Sequence, residues 1–264
     1  MNENQLLSEY VVSLKYRDIP DDVTELVKME ILDTIGVTCA GANEAIGRIL
    51  LPLAEEWGGK PEATVIGSGK KLPAVLAALV NGSTAQALDY DAITFSTGHV
   101  GVCIIPAVLA AAELSGKASG KDIITAATLG IDVMCRFGEA SKPMIKASGW
   151  LYTPVFGSFG ATAAAGKLLG LTADELANAF GIAYSQAAGS RQPVTEGKLV
   201  KPMQSGFAAR TGVMSAILAK RGVSGSLDFI SGKFGLATQY LDGDFKPEIL
   251  VKDVQIKHER SDRS

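Results

Sequence analysis

Three observations predict an all-α fold for this chain. Apolar residues recur at helical spacing along most of its length, helix caps bracket the runs, and only one short stretch, around residues 63–66, has extended character. Leu6, Leu7, Tyr10, Val11 and Leu14 share one helical face. Val23, Leu26, Val27, Ile31 and Ile35 repeat the pattern after the start signal Pro20–Asp21–Asp22. A break at CAGANEAIG precedes a third helix, and WGGKPEATVIGSGKKLPA is a loop around the extended piece. From Pro73 onward helix follows helix: PAVLAALVNGSTAQALD, PAVLAAAELSG, SGKDIITAATLGIDVMCRFGEA, FGSFGATAAAGKLLG, TADELANAFGIAYSQAAG and QSGFAARTGVMSAILAKRG. Ser119 before Asp122 and Thr172 before Glu175 are N-cap signals, while Gly116, Gly170 and Gly222 mark ends. The run from Gly157 to Gly166 has little side-chain bulk, so this helix is expected at the centre, where backbones approach closely.

Composition narrows the function. With 47% hydrophobic and 20% charged residues in a 264-residue chain, there is ample material for a buried core. The longest apolar run, VGVCIIPAVLAAA, is shorter than the ~20 residues of a membrane helix and contains Pro106. The N-terminus is polar and acidic, unlike a signal peptide, so a cytoplasmic location without membrane association is expected. A net charge of −3 and the lack of a basic stripe exclude a general nucleic-acid partner. Cys39, Cys103 and Cys135 are scattered in apolar surroundings with no ligand spacing, which predicts buried structural thiols and no metal site.

Two polar islands interrupt this apolar background. In ALDYDAITFSTGHVG, Asp89 and Asp91 precede Thr94, Ser96, Thr97 and then His99, one of only two histidines; the other, His258, lies in a charged terminal stretch. A histidine beside a carboxylate can exchange a proton near neutral pH, although by spacing alone such a run is more often a capped helix end and a satisfied polar loop. In SQAAGSRQPVTEGKLVKPMQSG, the cations Arg191, Lys198 and Lys201 accompany Gln192, Thr195 and Gln204. That loop suits an anionic small molecule, and equally a solvated surface.

Together the islands resemble the MmgE/PrpD family. ALDYDAITFSTGHVGVCIIPAVLAAAELSGKASGKDIITAATLGIDV is similar to its signature stretch, in which an acid–aromatic–acid run leads to a histidine and a proline-started helix. GWLYTPVFGSFGATAAAGKLLGLTADELANAFGIAYSQAAGSRQ and GKLVKPMQSGFAARTGVMSAILAKRGVSG continue the likeness in the same order, over residues 3–241. The resemblance implies a large helical domain that dimerises, followed in the family by a smaller α/β domain that helps close the active site. Residues 1–241 would be the helical domain. Residues 242–264 would be a charged, frayed tail, the stub of an α/β domain absent from this chain. Activities in the family include 2-methylcitrate dehydratase, cis-aconitate decarboxylase and iminodisuccinate epimerase, all on small polycarboxylates and without a metal or organic cofactor.

Carried over by motif, Asp89, His99 and Lys201 are the catalytic positions, and Asp91 is the second acid, expected with Tyr152, Gln192 and Gln204 to bind substrate. Arg191 and Lys198 fall beside that lysine and are assigned to substrate carboxylates, with Gln192 near them. The sequence departs from the pattern at three places. Leu151 stands where many relatives carry histidine, with Tyr152 beside it offering a hydroxyl; Ile93 replaces a threonine of decarboxylase-like members; Gln204 replaces a second histidine. These departures argue against the decarboxylase in particular and also remove groups of the dehydratase proton relay; the resemblance as a whole implies a dehydratase-like carbon–oxygen lyase, or a related isomerase. The expected chemistry is proton removal alpha to a carboxylate by His99, oriented by Asp89, with Lys201 and Arg191 stabilising the developing charge. The rival expectation is a non-catalytic helical dimer, or the large subunit of a split enzyme completed by a separate α/β chain.

Overall fold

A computed structural model describes residues 1–141, 149–241 and 243–254. The helices are α1 (Glu3–Ser13), α2 (Asp21–Gly41), α3 (Ala45–Trp57), α4 (Ala74–Ala85), α5 (Gly101–Ser115), α6 (Gly120–Ala140), α7 (Tyr152–Leu169), α8 (Ala173–Tyr184), the short α9 (Gln192–Glu196), α10 (Val200–Lys220), α11 (Leu236–Leu241) and α12 (Pro247–Leu250). The expected all-α class is what the chain adopts. The extended piece is one arm of a small antiparallel hairpin, β1 (Ala63–Val65) against β2 (Lys70–Leu72), with Ala63 opposite Leu72. A second, two-residue ribbon pairs β3 (Ile93–Thr94) with β4 (Gly98–His99), with Ile93 opposite His99. None of the described helices is long and apolar enough to cross a membrane.

The expected caps form as reciprocal pairs. Ser119 accepts from the Asp122 N–H while the Asp122 carboxylate accepts from Ser119, and Thr172 and Glu175 do the same for α8. Each satisfies two N–H groups that the helix itself leaves unpaired. The small-residue helix α7 is central: nearly all of it is buried, against α5, α6, α8 and α10. A β-carbon on Gly160 would lie 2.4 Å from the Gly130 carbonyl oxygen, so α6 and α7 touch backbone to backbone. Beside them Phe137, Phe156, Phe159, Phe180 and Phe229 are almost fully buried, with the Phe137 and Phe159 rings stacked at 4.7 Å. Burying such side chains contributes about 1.5–3 kcal/mol each.

The crossing of α4 and α10 bears most directly on the site. A β-carbon on Gly82 would lie 2.8 Å from the Gly206 Cα, and one on Gly206 would lie 2.3 Å from the Leu79 carbonyl oxygen. No side chain fits between these backbones. Just beyond the crossing, the Ser205 hydroxyl donates to the Gln86 side-chain oxygen, both groups buried. The loop leaving α4 is thereby held against the first turns of α10.

Three expectations need correction. Residues 243–254 are not a frayed tail: Leu250 is fully buried, the Lys246 N–H donates to the Ala140 carbonyl at 2.9 Å, and the Arg136 guanidinium reaches the Lys252 carbonyl at 2.7 Å. The apolar residues Ile249 and Leu250 outweigh their charged neighbours and dock this segment on α6. His258 lies outside the described residues. The thiols also differ from one another: Cys103 is buried, and burial pushes it up to about 12, whereas Cys39 is exposed and Cys135 is intermediate. Finally, Lys201 sits in the first turn of α10 and not in a loop, because α9 and the turn at Gly197 take up most of the chain between Ser190 and Val200.

Candidate active site

The structure gathers Asp91, His99, Asp89 and Lys201 into one row. Asp91 Oδ2 lies 2.8 Å from His99 Nδ1. On the other side of the ring, Asp89 Oδ1 lies 3.5 Å from Nε2, and the same oxygen accepts from the Lys201 ammonium. The two carboxylates differ sharply in exposure, 1% for the Asp91 side chain and 58% for that of Asp89. The buried acid therefore holds the imidazole and the exposed one faces its free edge, the reverse of the expected arrangement in which Asp89 orients His99. With a carboxylate as its neighbour, Nδ1 is the nitrogen suited to carry the ring proton toward Asp91, which would leave Nε2 as the nitrogen free to accept one.

Local conformation aims these groups. Asp89 has a φ of 54°, a left-handed conformation that aspartate tolerates better than most residues. It turns the chain sharply after α4, and two residues later Asp91 enters the interior. The β3–β4 hairpin then returns His99 to Asp91. The turn is held by the hydroxyls of Thr94 and Thr97, 2.9 Å apart. Thr153, in the first turn of α7, accepts from the His99 N–H at 3.2 Å and donates to the Thr97 carbonyl at 3.3 Å. The sequence reading missed Thr153, and its only visible signal was a position next to the altered Leu151–Tyr152 pair.

The other expected binding residues are placed differently. Gln204 is buried and spends both ends of its amide on the backbone of Ser190, accepting from its N–H at 2.7 Å and donating to its carbonyl at 3.1 Å. It fixes the loop and does not present a group to a ligand. The Tyr152 hydroxyl donates to the Ser141 carbonyl at 3.4 Å and its ring stacks on Phe156, whose centroid is 5.0 Å away. Gln192 is exposed and donates to Glu196 at 2.6 Å. Arg191 and Lys198 are exposed on the segment that Gln204 anchors. That segment runs beside residues 149–151, through Leu151 N–H to Gly189 and Arg191 N–H to Gly149, and so adjoins the turn that leads into α7 and Thr153.

Asp89, Asp91 and His99 also bring ligand-type atoms within 4.8 Å of one another. The position a cation would take on Asp89 is filled by the Lys201 ammonium. The row can thus take a proton at Nε2, stabilise the resulting imidazolium between two carboxylates, and offer one ammonium to an anion.

The model of the MmgE/PrpD N-terminal domain matches residues 5–248. The cis-aconitate decarboxylase-like protein oryM of Aspergillus oryzae (strain ATCC 42149 / RIB 40) is 33% identical over 256 residues, covering 92% of this chain and 53% of that protein. The cis-aconitate decarboxylase of Aspergillus terreus is 34% identical over 236 residues, covering 87% of this chain and 48% of that enzyme. The cis-aconitate decarboxylase of Homo sapiens is 30% identical over 243 residues, covering 90% and 50%. The chain spans about half the length of the curated relatives it matches.

Proposed function

Because the chain belongs to the MmgE/PrpD family through its N-terminal domain, we propose that it carries the proton-transfer machinery of a cofactor-independent lyase acting on a small polycarboxylate, in the manner of a 2-methylcitrate dehydratase. The observation that supports this best is the row itself, in which a buried acid, a histidine, an exposed acid and a lysine stand in sequence. His99 Nε2 removes the proton alpha to a substrate carboxylate, and the electron pair of that C–H bond forms the new double bond. The adjacent C–O bond breaks, and the leaving oxygen takes a proton from the imidazolium and departs as water. Lys201, with Arg191 and Lys198 from the neighbouring segment, binds the substrate carboxylates; a well-placed donor of this kind contributes about 3–4 kcal/mol to the transition state.

A second reading is decarboxylation, favoured by the names of the relatives. There the electrons of a C–C bond return to carbon as carbon dioxide leaves, and His99 supplies the proton. Ile93 and Gln204 speak against it, since the first is apolar and the second is committed to Ser190. The two readings part in one experiment: the purified chain is incubated in heavy water with citrate-, methylcitrate-, aconitate- and aspartate-like polycarboxylates and followed by NMR. Deuterium entering an alpha carbon with loss of water is the expected result; release of carbon dioxide selects the second reading. Silence across the panel overturns both for this chain and favours the non-catalytic module or the split enzyme.

The partner we propose for this domain is a second copy of itself. Leu26, Met29 and Leu32 of α2 are all more than half exposed, an apolar stripe that a monomer leaves in water. Sedimentation is expected to give a dimer at micromolar concentration, and Leu32→Glu is expected to shift it toward monomer by at least tenfold in Kd. A wild-type chain that sediments as a monomer at tens of micromolar would remove this proposal.

A further inference from the structure

The two polar islands meet on one side chain. Thr153, in the first turn of α7, is buried, and its hydroxyl makes two hydrogen bonds of opposite sense: it accepts from the His99 N–H at 3.2 Å and donates its one proton to the Thr97 carbonyl at 3.3 Å. Other hydroxyls of the same helix turn inward on it. Ser158 and Thr162 donate to the carbonyls four residues back, those of Pro154 and Ser158. For Thr153 the residue four back is Gly149, which precedes the helix and whose carbonyl accepts from the Arg191 N–H at 2.9 Å. The Thr153 side chain crosses instead to the hairpin that carries His99. The chain on either side is fitted to this turn: a β-carbon on Gly98 would stand 3.0 Å from Thr153 Oγ1, and one on Gly189 would stand 2.2 Å from Pro154 Cγ.

We propose that Thr153 is a positioning residue: through the first turn of α7 it holds the His99 backbone in register with the segment that bears Arg191, so that the proton-transferring ring and a carboxylate-binding cation keep a fixed separation. This rests on reading His99 as the base and Arg191 as a substrate contact. The need for an anchor from outside follows from the size of the hairpin. A ribbon with two residues in each strand is too short to hold its own shape in water, and the contact between the Thr94 and Thr97 hydroxyls lies within its turn. Asp91 holds the tip of the His99 side chain, at Nδ1, and Thr153 holds its root, at the backbone N–H. With the root released, the ring can swing about the Asp91 contact, and a displacement of about 1 Å at a reacting group costs on the order of 10²-fold in rate. Valine has nearly the shape of threonine but neither the donor nor the acceptor, so it removes both bonds at once.

Thr153→Val is expected to lower kcat on the responsive polycarboxylate by about 10²-fold while KM stays close to wild type, because the cations are not displaced. Thr153→Ser restores the hydroxyl and should recover most of the loss. Two further readouts do not depend on turnover. The His99 amide should exchange with heavy water at least about tenfold faster in Thr153→Val, as the loss of one hydrogen bond dictates, and near the wild-type rate in Thr153→Ser. Long-range 1H–15N correlations of the neutral His99 ring should place its proton on Nδ1 in the wild type and in Thr153→Ser, and average it between the two nitrogens in Thr153→Val. Ser158→Ala is the control for a general loosening of α7: it removes a buried hydrogen bond of the same helix and should leave the His99 amide and ring as in the wild type. A wild-type His99 amide that exchanges as fast as an unstructured one overturns the proposal without any variant having to fold. An unchanged amide and ring in Thr153→Val overturns it as well, and so does the same change in Ser158→Ala. The expected amide and ring changes, beside silence of the wild type in the heavy-water assay, uphold the positioning and count against the lyase reading alone.

Discussion

Replacing His99 with alanine is expected to lower turnover on the responsive polycarboxylate by about 10²–10⁴-fold, the range that a positioned general base contributes, while the midpoint of thermal unfolding moves by only a few degrees. The reasoning separates the two readouts. His99 lies on a two-residue ribbon at the edge of the bundle, and the helices do not depend on its ring. Its removal does leave the buried Asp91 carboxylate without its His99 partner, a cost of about 1–3 kcal/mol that accounts for the shift in stability. Chemistry, by contrast, loses the imidazole that takes and returns the proton in the proposed mechanism. Deuterium incorporation measured on the wild type and the variant at equal concentration decides the matter: equal rates would mean that another group does the proton transfer.

The second large effect is structural. Gly206→Val is expected to destabilise the fold by at least about 3 kcal/mol, beyond the usual range for a small excess of core volume, because the new side chain meets the Ser83 hydroxyl at 2.2 Å and backbone at 2.3 Å with no flexible end to give way. The same change pushes α4 from α10 and so pulls Asp89 from Lys201, and activity should fall in whatever fraction remains folded. Gly36→Ala is the matched control. That residue is also a helical glycine, but nothing lies within 4 Å of the added carbon, and the exchange should be neutral or stabilising by up to about 1 kcal/mol. Denaturant unfolding of the two variants measures both; a mild Gly206→Val would mean that the helices can separate without loss.

Much of this architecture was legible because helices announce themselves locally. Caps at Ser119 and Thr172, glycines at Gly116 and Gly170, and the small residues of α7 act within a few positions of one another, and each appears in the structure where the sequence predicts it. The Asp89, Asp91, His99 and Lys201 set was legible by chemistry and by family resemblance. What stayed hidden depends on the third dimension. Helix α2 buries Thr24, Thr34 and Thr38 along with Val27 and Val37, and leaves Leu26 exposed, so a wheel drawn through its apolar residues misplaces part of the inner face. Two aspartates separated by one residue cannot be ranked by spacing, and the left-handed turn at Asp89 decides which enters the interior. Gln204 looks like a ligand-binding amide in a polar loop, yet it lies buried on α10, where its amide needs partners of its own and finds them in the backbone of Ser190.

The pairing of Lys201 with Asp89 has a consequence for how such a site selects what it binds. The ammonium already carries a carboxylate, so an incoming acid does not add an ion pair; it exchanges one for another, and the net gain is a difference between two similar contacts. A ligand with a single carboxylate gains little from that exchange. In the proposed function, one with several would displace Asp89 with one group and engage Arg191 or Lys198 with the next, leaving Asp89 free to face His99 Nε2. Under the proposed function, discrimination among acids would follow from the number and spacing of their charges, with Asp89 as the resident competitor each ligand must outmatch.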